Sequence, residues 1–247
     1  KCPRWDLEKF AGAERFIGSE MKSVGEVMGI GRTLPEALQK ALRMVGLGVD
    51  GLDPLAFVFE DLDDELSHPS PKRMFAVAAA FAKGYSVDHV HALTGIDRFF
   101  LFEIELMIAV RKRIESAPVL DRELLLLAKR EGFSDGAIAK LRGLKEEEVR
   151  RLRRDWDIRP VLAKIDTLAA EFPADTNYLY LTYHGQNPDV TKSPRPSVLI
   201  LGSGAYRIGS SVEFDWCSVN AAAAARELGY ETLLLNFNPE TVSTDTD

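Results

Sequence analysis

The stretch LGSGAYRIGSSVEFDW (201–216) holds the residues best suited to chemistry, with Gly202, Gly204, Arg207 and Gly209 set between an apolar run and a segment of helical pattern. Glycines ahead of a helix let backbone N–H groups approach an anion, and the helix N-terminus favours negative charge. The match to a nucleotide cradle is partial. Gly202 and Gly204 open a dinucleotide pattern whose third glycine position is Arg207. Read from Gly204, the GxxxxG spacing of a P-loop is met, but Ser210 stands where the phosphate-gripping lysine belongs. The expected next strand ends on Asn236, Phe237 and Asn238, without a carboxylate for a ribose. The loop therefore suits a small anion or a tight structural turn better than a nucleotide.

Other chemistry finds little support. The acidic run EDLDDE (60–65) lacks the glycine and ligand spacing of a calcium loop and is expected to be a solvated loop. His89 and His91 splay apart on a helix, His68 and His184 fall in loop-like sequence, and no metal site is expected. No GxSxG nucleophile elbow occurs. A formal charge of −7 argues against general nucleic-acid binding, and no apolar run approaches a membrane span. Cys2 and Cys217 form neither a disulfide framework nor a zinc knuckle, so a reducing cytoplasm is the expected compartment. The start Lys1-Cys2-Pro3-Arg4 is neither a signal peptide nor an initiator, which reads as an excised piece.

The elements that must position the loop fall into three regions: 1–46, 47–189 and 190–247. In the first, Thr33 and Glu36 have capping-box spacing with Pro35 in the first turn, and Leu38, Ala41, Leu42 and Val45 form one apolar stripe. That is the end of a domain, not a core. In the second, helices are expected over 72–83, 88–93, 98–115, 121–131, 135–141, 146–156 and 160–170, with 98–115 the most buried and central. GYSVDHVHALTGI (84–96) is echoed 48 residues later by GFSDGAIAKLRGL (132–144), a short helix, a glycine turn and a second helix. This grammar is shared with helix-turn-helix DNA binders. However, Glu146, Glu147 and Glu148 would face phosphates, and the later arginines have acid partners at i,i+4, Glu146 with Arg150 and Glu147 with Arg151. A packing unit is the better reading. The third region follows the proline-containing linker NPDVTKSPRPS and shows strand (SVLILG), glycine loop, helix ending at Gly229, and strand (ETLLLNFNP), the opening of a doubly wound parallel sheet.

Taken together, RIGSSVEFDW, NFNPETVSTD and MKSVGEVMGIGRT resemble the carbamoyl phosphate synthetase large-chain family. KCPRWDLEKF and MKSVGEVMGIGRT are similar to the end of its first ATP-grasp half; GIDRFFL, GFSD, LAAEF and DTNYLYLTY to its oligomerisation domain; LGSGAYRIGSSVEFDW and NPETVSTD to the start of its second half. The resemblance implies a mixed fold: an all-α oligomerisation domain (47–189) flanked by an incomplete ATP-grasp C-terminal piece (1–46) and the first βαβ unit of a pre-ATP-grasp parallel α/β sheet (190–247). It implies a parent ligase that makes carbamoyl phosphate from bicarbonate, glutamine-derived ammonia and two ATP, with magnesium, potassium being a further candidate, and with a glutaminase small subunit. Neither a cofactor site nor a catalytic residue is expected within these residues, so the fragment alone should be inactive.

The same resemblance makes Glu26, Ser211, Glu213 and Glu240 candidates for a passage that shields carbamate from water between the halves. Bracing of the glycine turn is the alternative role for Glu213 or Arg207. Two departures are Thr246, where the family commonly has an aromatic, and Ser211, where some relatives carry glycine. Self-association is expected through the helical region and through the cut α/β faces. A free-standing helical self-association module is the rival reading, with a helix-turn-helix regulator behind it.

Overall fold

The computed structural model describes residues 1–14, 16–166, 168, 171–172, 178–209, 212–238 and 241–244. Strands β1 (Cys2–Arg4) and β2 (Gly25–Val27) pair antiparallel, with Pro3 opposite Glu26. Helix α1 (Leu34–Met44) then begins where the capping residues place it: Thr33 Oγ1 accepts from the Glu36 N–H at 3.3 Å, with Pro35 in the first turn. The return bond of the predicted box is redirected, because the Glu36 carboxylate accepts from the Arg32 N–H at 2.8 Å instead. Glu36 is 1 % exposed and also accepts from Lys40 Nζ at 2.8 Å and Thr182 Oγ1 at 3.0 Å. A buried carboxylate with these three donors is satisfied, and it fastens α1 to a strand 146 residues further on.

The acidic run is a helix, not a loop. Asp61 Oδ1 accepts from the Asp64 N–H at 3.0 Å and starts α2 (Leu62–Ser67). Asp63, Asp64 and Glu65 sit in its first turn, where the helix dipole favours them, while Leu62 and Leu66 point inward. The charges stay near water as expected; two leucines four apart supplied the helical signal.

The repeat extends further than the sequence suggested. Helices α3 (Arg73–Ala82), α4 (Val87–Thr94) and α5 (Arg98–Ser116) are followed, at the same 48-residue offset, by α6 (Arg122–Arg130), α7 (Asp135–Arg142) and α8 (Glu146–Asp155). Ser86 and Ser134 cap α4 and α7 by accepting from His89 and Ala137 N–H at 3.2 and 2.9 Å. Gly95 and Gly143 end the same helices at φ 68° and 64°, a conformation that costs glycine nothing. Val90 and Ile138, matched positions, are each fully buried. Each unit has its own core, around Phe75, Leu101, Ile104 and Met107 in the first and Leu124, Leu125, Ile138 and Val149 in the second. Helix α5 serves both, since Ile114 at its end enters the second core.

Two expectations for this region are overturned. Helix α5 is not buried all round: Leu101, Ile104, Met107, Ile108 and Ile114 face inward, whereas Phe99, Phe100, Phe102 and Leu106 are 59, 47, 51 and 58 % exposed. Its position between two cores covers one face only. The segment expected as helix over 160–170 instead holds β3 (Val161–Lys164), antiparallel to β4 (Leu179–Thr182). Asp157, at φ 54°, turns the chain out of α8, Pro160 follows, and Val161 and Leu162 find a strand partner that local periodicity does not reveal. The linker then leads to β5 (Ser197–Leu201), α9 (Val212–Glu227) and β6 (Glu231–Leu235). β5 and β6 are parallel, with Leu199 opposite Leu233, and Gly229 at φ 86° follows the helix, as the pattern required. Among the described residues, no helix is long and apolar enough to cross a membrane.

Candidate functional site

The glycine loop connects β5 to α9 and opens with Gly202 donating to the Leu235 carbonyl at 2.8 Å. Gly202, Gly204, Arg207 and Gly209 line one open groove of about 800 Å³ together with Lys9 and Cys217. The groove thus joins residues nearly two hundred positions apart, and its cations come from both ends of the chain.

The first region is pressed directly against this loop. Gly25 on β2 lies so close to the Tyr206 backbone that an added Cβ would overlap its carbonyl. Ala205 packs on Val27, Ala41 and Val45, and Met28 donates to the Phe237 carbonyl at 2.9 Å. Asp6, 4 % exposed, accepts from the Ile208 N–H at 3.0 Å, Lys9 Nζ at 2.9 Å and Arg4 Nε at 3.2 Å. Burial alone would raise this carboxyl's pKa; the Lys9 and Ile208 hydrogen bonds and the Arg4 charge outweigh it and hold the pKa below the usual value. Lys9 Nζ also donates to the Ile208 carbonyl at 3.3 Å. We expect Gly25→Ala to push the two pieces apart and cost about 1–2 kcal/mol, read as a lower midpoint in urea. An unchanged midpoint would mean that the strand and loop are not in contact in solution.

Behind the loop, the position that lacks a ribose carboxylate has a structural task. Asn236 Nδ2 donates to Asp215 Oδ1 at 3.0 Å and lies 2.9 Å from Thr241 Oγ1. Asp215 is fully buried and accepts from Ser243 N–H at 2.6 Å and Ser243 Oγ at 2.9 Å. Residues 241–244 are thereby held against α9. Burial raises the Tyr206 phenol's pKa, and the Asp215 carboxylate and, less, Glu213 add to this. Ser203 opposes the rise, although no hydrogen bond of sound geometry joins the two hydroxyls.

Of the carboxylates expected at a passage, Glu26 lies on β2 next to Gly25, its side chain 39 % exposed and 3.2 Å from Lys1 Nζ. Glu213 is exposed in the first turn of α9, close enough to Tyr206 for its charge to be felt there. Ser211 and Glu240, and the departure at Thr246, lie outside the described residues. Asp6, Asp215 and Asn236 were missed as positioning residues, because a lone acid or amide carries no sequence signal until its partners are known. The arginines after the second repeat are partly spoken for. Arg150 meets Glu146 at 2.6 Å as expected, Arg153 is drawn inward to Asp135 at 3.0 Å, and no ion pair joins Glu147 to Arg151 among the described residues. The histidines do local work: His91 Nδ1 lies 2.7 Å from the Ile96 carbonyl and His184 Nε2 lies 2.9 Å from that of Arg130.

These features define a class of protein: a duplicated helical domain joined on one side to a small strand-and-helix piece and on the other to the opening βαβ unit of a parallel α/β domain. Residues 26–157 match the family described as carbamoyl-phosphate synthetase large chain, oligomerisation domain, and residues 194–247 match the carbamoyl phosphate synthase preATP-grasp domain. The chain belongs to the carbamoyl-phosphate synthetase large-chain family. All of it aligns with the arginine-specific carbamoyl phosphate synthase large chain of Cutaneotrichosporon cutaneum at 51 % identity, covering 21 % of that protein. It is 50 % identical to the multifunctional protein CAD of Squalus acanthias and 47 % identical to the mitochondrial carbamoyl-phosphate synthase [ammonia] of Aquarana catesbeiana, again over its whole length, covering 11 % and 17 % of them. The chain therefore spans about a fifth or less of the curated relatives it matches.

Proposed function

We propose that the chain is the central part of a glutamine-dependent carbamoyl phosphate synthetase large chain, an ATP-dependent C–N ligase, in which it supplies self-association and part of the carbamate passage. The observation that carries this reading is the contact of the GEVMGIG strand with the AYRIG loop, through Gly25 and Tyr206, in a chain aligned from end to end with such enzymes. In it, 1–46 ends the ATP-grasp half that makes carboxyphosphate, 47–189 is the associating domain, and 190–247 opens the half that phosphorylates carbamate. ATP and magnesium, with potassium a further candidate, act in the parent outside these residues, as does a glutaminase subunit. Here Glu26 and Glu213 flank the junction of the two halves, and the family resemblance adds Ser211 and Glu240 to the residues assigned to the passage. Carboxylates there can exchange protons and form hydrogen-bonded gates, and an enclosed route keeps a labile intermediate from hydrolysis. The relatives' names divide between those marked mitochondrial and those not, so the reading is not tied to the cytoplasm.

The test grafts these 247 residues into the large chain of the Cutaneotrichosporon relative in place of its own segment. The graft should make carbamoyl phosphate from glutamine, bicarbonate and ATP; failure to do so in a folded graft would count against the reading. Glu213→Ala in the graft should lower product formation about tenfold, equivalent to ~1.4 kcal/mol, while bicarbonate-dependent ATP consumption continues. A parallel fall in both rates would assign Glu213 to bracing alone.

A further inference from the structure

We propose that the outward stripe of α5 is the surface of self-association, and that it pairs antiparallel with the same helix of a second copy of this chain. The inference rests on the self-association reading above and names its contact.

Phe99, Phe102 and Leu106 are each more than half exposed. Ala109 and Arg113 are exposed as well and continue the same line. Spacings of three, four, three and four make this an a/d seam, the pattern by which one helix packs along another. At 100° per residue the seam lies opposite the buried face of Leu101, Ile104, Met107, Ile108 and Ile114. Three large apolar side chains in one exposed line, on the longest helix of the domain, are the kind of patch that marks an interface.

The charges beside the seam identify the occupant and its direction. Glu105 and Lys112 lie on one shoulder, seven residues apart, and neither has an ion-pair partner among the described residues. In an antiparallel pair this shoulder faces its own copy, so Glu105 meets the second copy's Lys112 and the reverse contact repeats by symmetry. The same register sets Leu106 against the small Ala109 and Phe102 against the guanidinium of Arg113, a favourable cation–aromatic contact. A parallel pair would stack Arg113 on its own copy within the seam. It would also set Glu105 against Val110, and the Arg98 that could answer Glu103 there is already held by Asp88 at 2.7 Å. Sliding the antiparallel pair by one heptad puts Glu105 against Glu105. Only one arrangement satisfies both the apolar line and the charges.

Charge exchange in the 247-residue chain, followed by sedimentation equilibrium, tests this. The unaltered chain should dimerise. Glu105→Lys and Lys112→Glu should each weaken the dimer by about tenfold or more, since each opposes like charges twice. An equimolar mixture of the two variants should recover it as a heterodimer, and so should both changes on one chain. Leu106→Asp should abolish it with unchanged circular dichroism, because the side chain is outside the core. An unaltered chain that is monomeric at high micromolar concentration would overturn the self-association reading itself. A chain that associates regardless of all these variants would leave that reading intact and overturn the α5 surface, pointing to another face such as the exposed Leu199 and Leu201 of β5. Weakening by both single variants without recovery on mixing would overturn the antiparallel register.

Discussion

Asp135→Ala should be among the most destabilising single substitutions in this protein, lowering stability by about 3–5 kcal/mol. Asp135 is 8 % exposed and sits between Lys129 Nζ at 2.8 Å and the Arg153 guanidinium, whose Nε and Nη2 donate to it at 3.1 and 3.0 Å. The Tyr183 ring covers both cations, 5.2 Å from Lys129 Nζ and 5.9 Å from the centre of the guanidinium. Removing the carboxylate leaves two cations together in a closed site, one of them only 6 % exposed. Burial opposes both charges, but unequally. For Asp135, the Lys129 charge and the Arg153 hydrogen bond overcome burial and hold the carboxyl's pKa low. For Lys129, burial wins over Asp135, with Arg153 and Arg43 adding repulsion, and the pKa falls to about 8. One carboxylate shared by two cations explains why the pair does not shift symmetrically.

The pH dependence follows in sign. The depressed Asp135 pKa contributes stability that is fully present above the unfolded aspartate value of about 3.9 and is lost as pH falls below it through the folded value. The depressed Lys129 pKa acts the other way. The cost of burying its charge is fully present below pH 8 and is relieved as pH rises from about 8 toward the unfolded value near 10.4. Without Asp135 the lysine should neutralise at still lower pH, so Asp135→Ala should regain part of its lost stability by pH 9, and Lys129→Met added to it should regain part at pH 7. Urea denaturation at three pH values measures both. A loss below 1 kcal/mol at pH 7 would mean that water reaches the cluster.

Asp215→Ala should cost roughly 3 kcal/mol and should disorganise residues 241–244 in particular. The fully buried carboxylate accepts from Asn236 Nδ2, Ser243 N–H and Ser243 Oγ, and its removal takes away the acceptor of the Ser243 N–H while Asn236 Nδ2 and Ser243 Oγ keep Thr241 Oγ1 at 2.9 and 3.0 Å. Asp215→Asn should recover little, because an amide presents one oxygen where the native group uses two. Amide hydrogen exchange would localise the effect. Faster exchange at Ser243 with α3–α8 unchanged is the expected result, whereas uniform exchange across the helical repeat would show that Asp215 supports the whole chain instead of this loop. Since 241–244 lie next to Glu240, the same variant in the grafted enzyme should also slow carbamoyl phosphate formation.

The sequence by itself determined what is decided within a few residues: the helix start at Thr33, short helices near 88–93 and 135–141, glycine stops at Gly95, Gly143 and Gly229, the repeat, and the strand–helix–strand order of the last region. Caps and turns are local hydrogen bonds and local backbone preferences, so local sequence encodes them. The long motifs were enough to suggest the family for the same reason that they are long. Tertiary structure alone decided the rest. A helix as apolar as α5 does not say which of its faces is covered, because burial has no direction until two cores take one side and leave Phe99, Phe102 and Leu106 outside. Val161 became a strand through pairing with Thr182, and Glu36 became a clamp through the same threonine, partners no short window contains. The roles of Asp6, Asp135 and Asp215 depend on donors brought in from distant or unremarkable positions, and a carboxylate's energy is set by what surrounds it once water has gone.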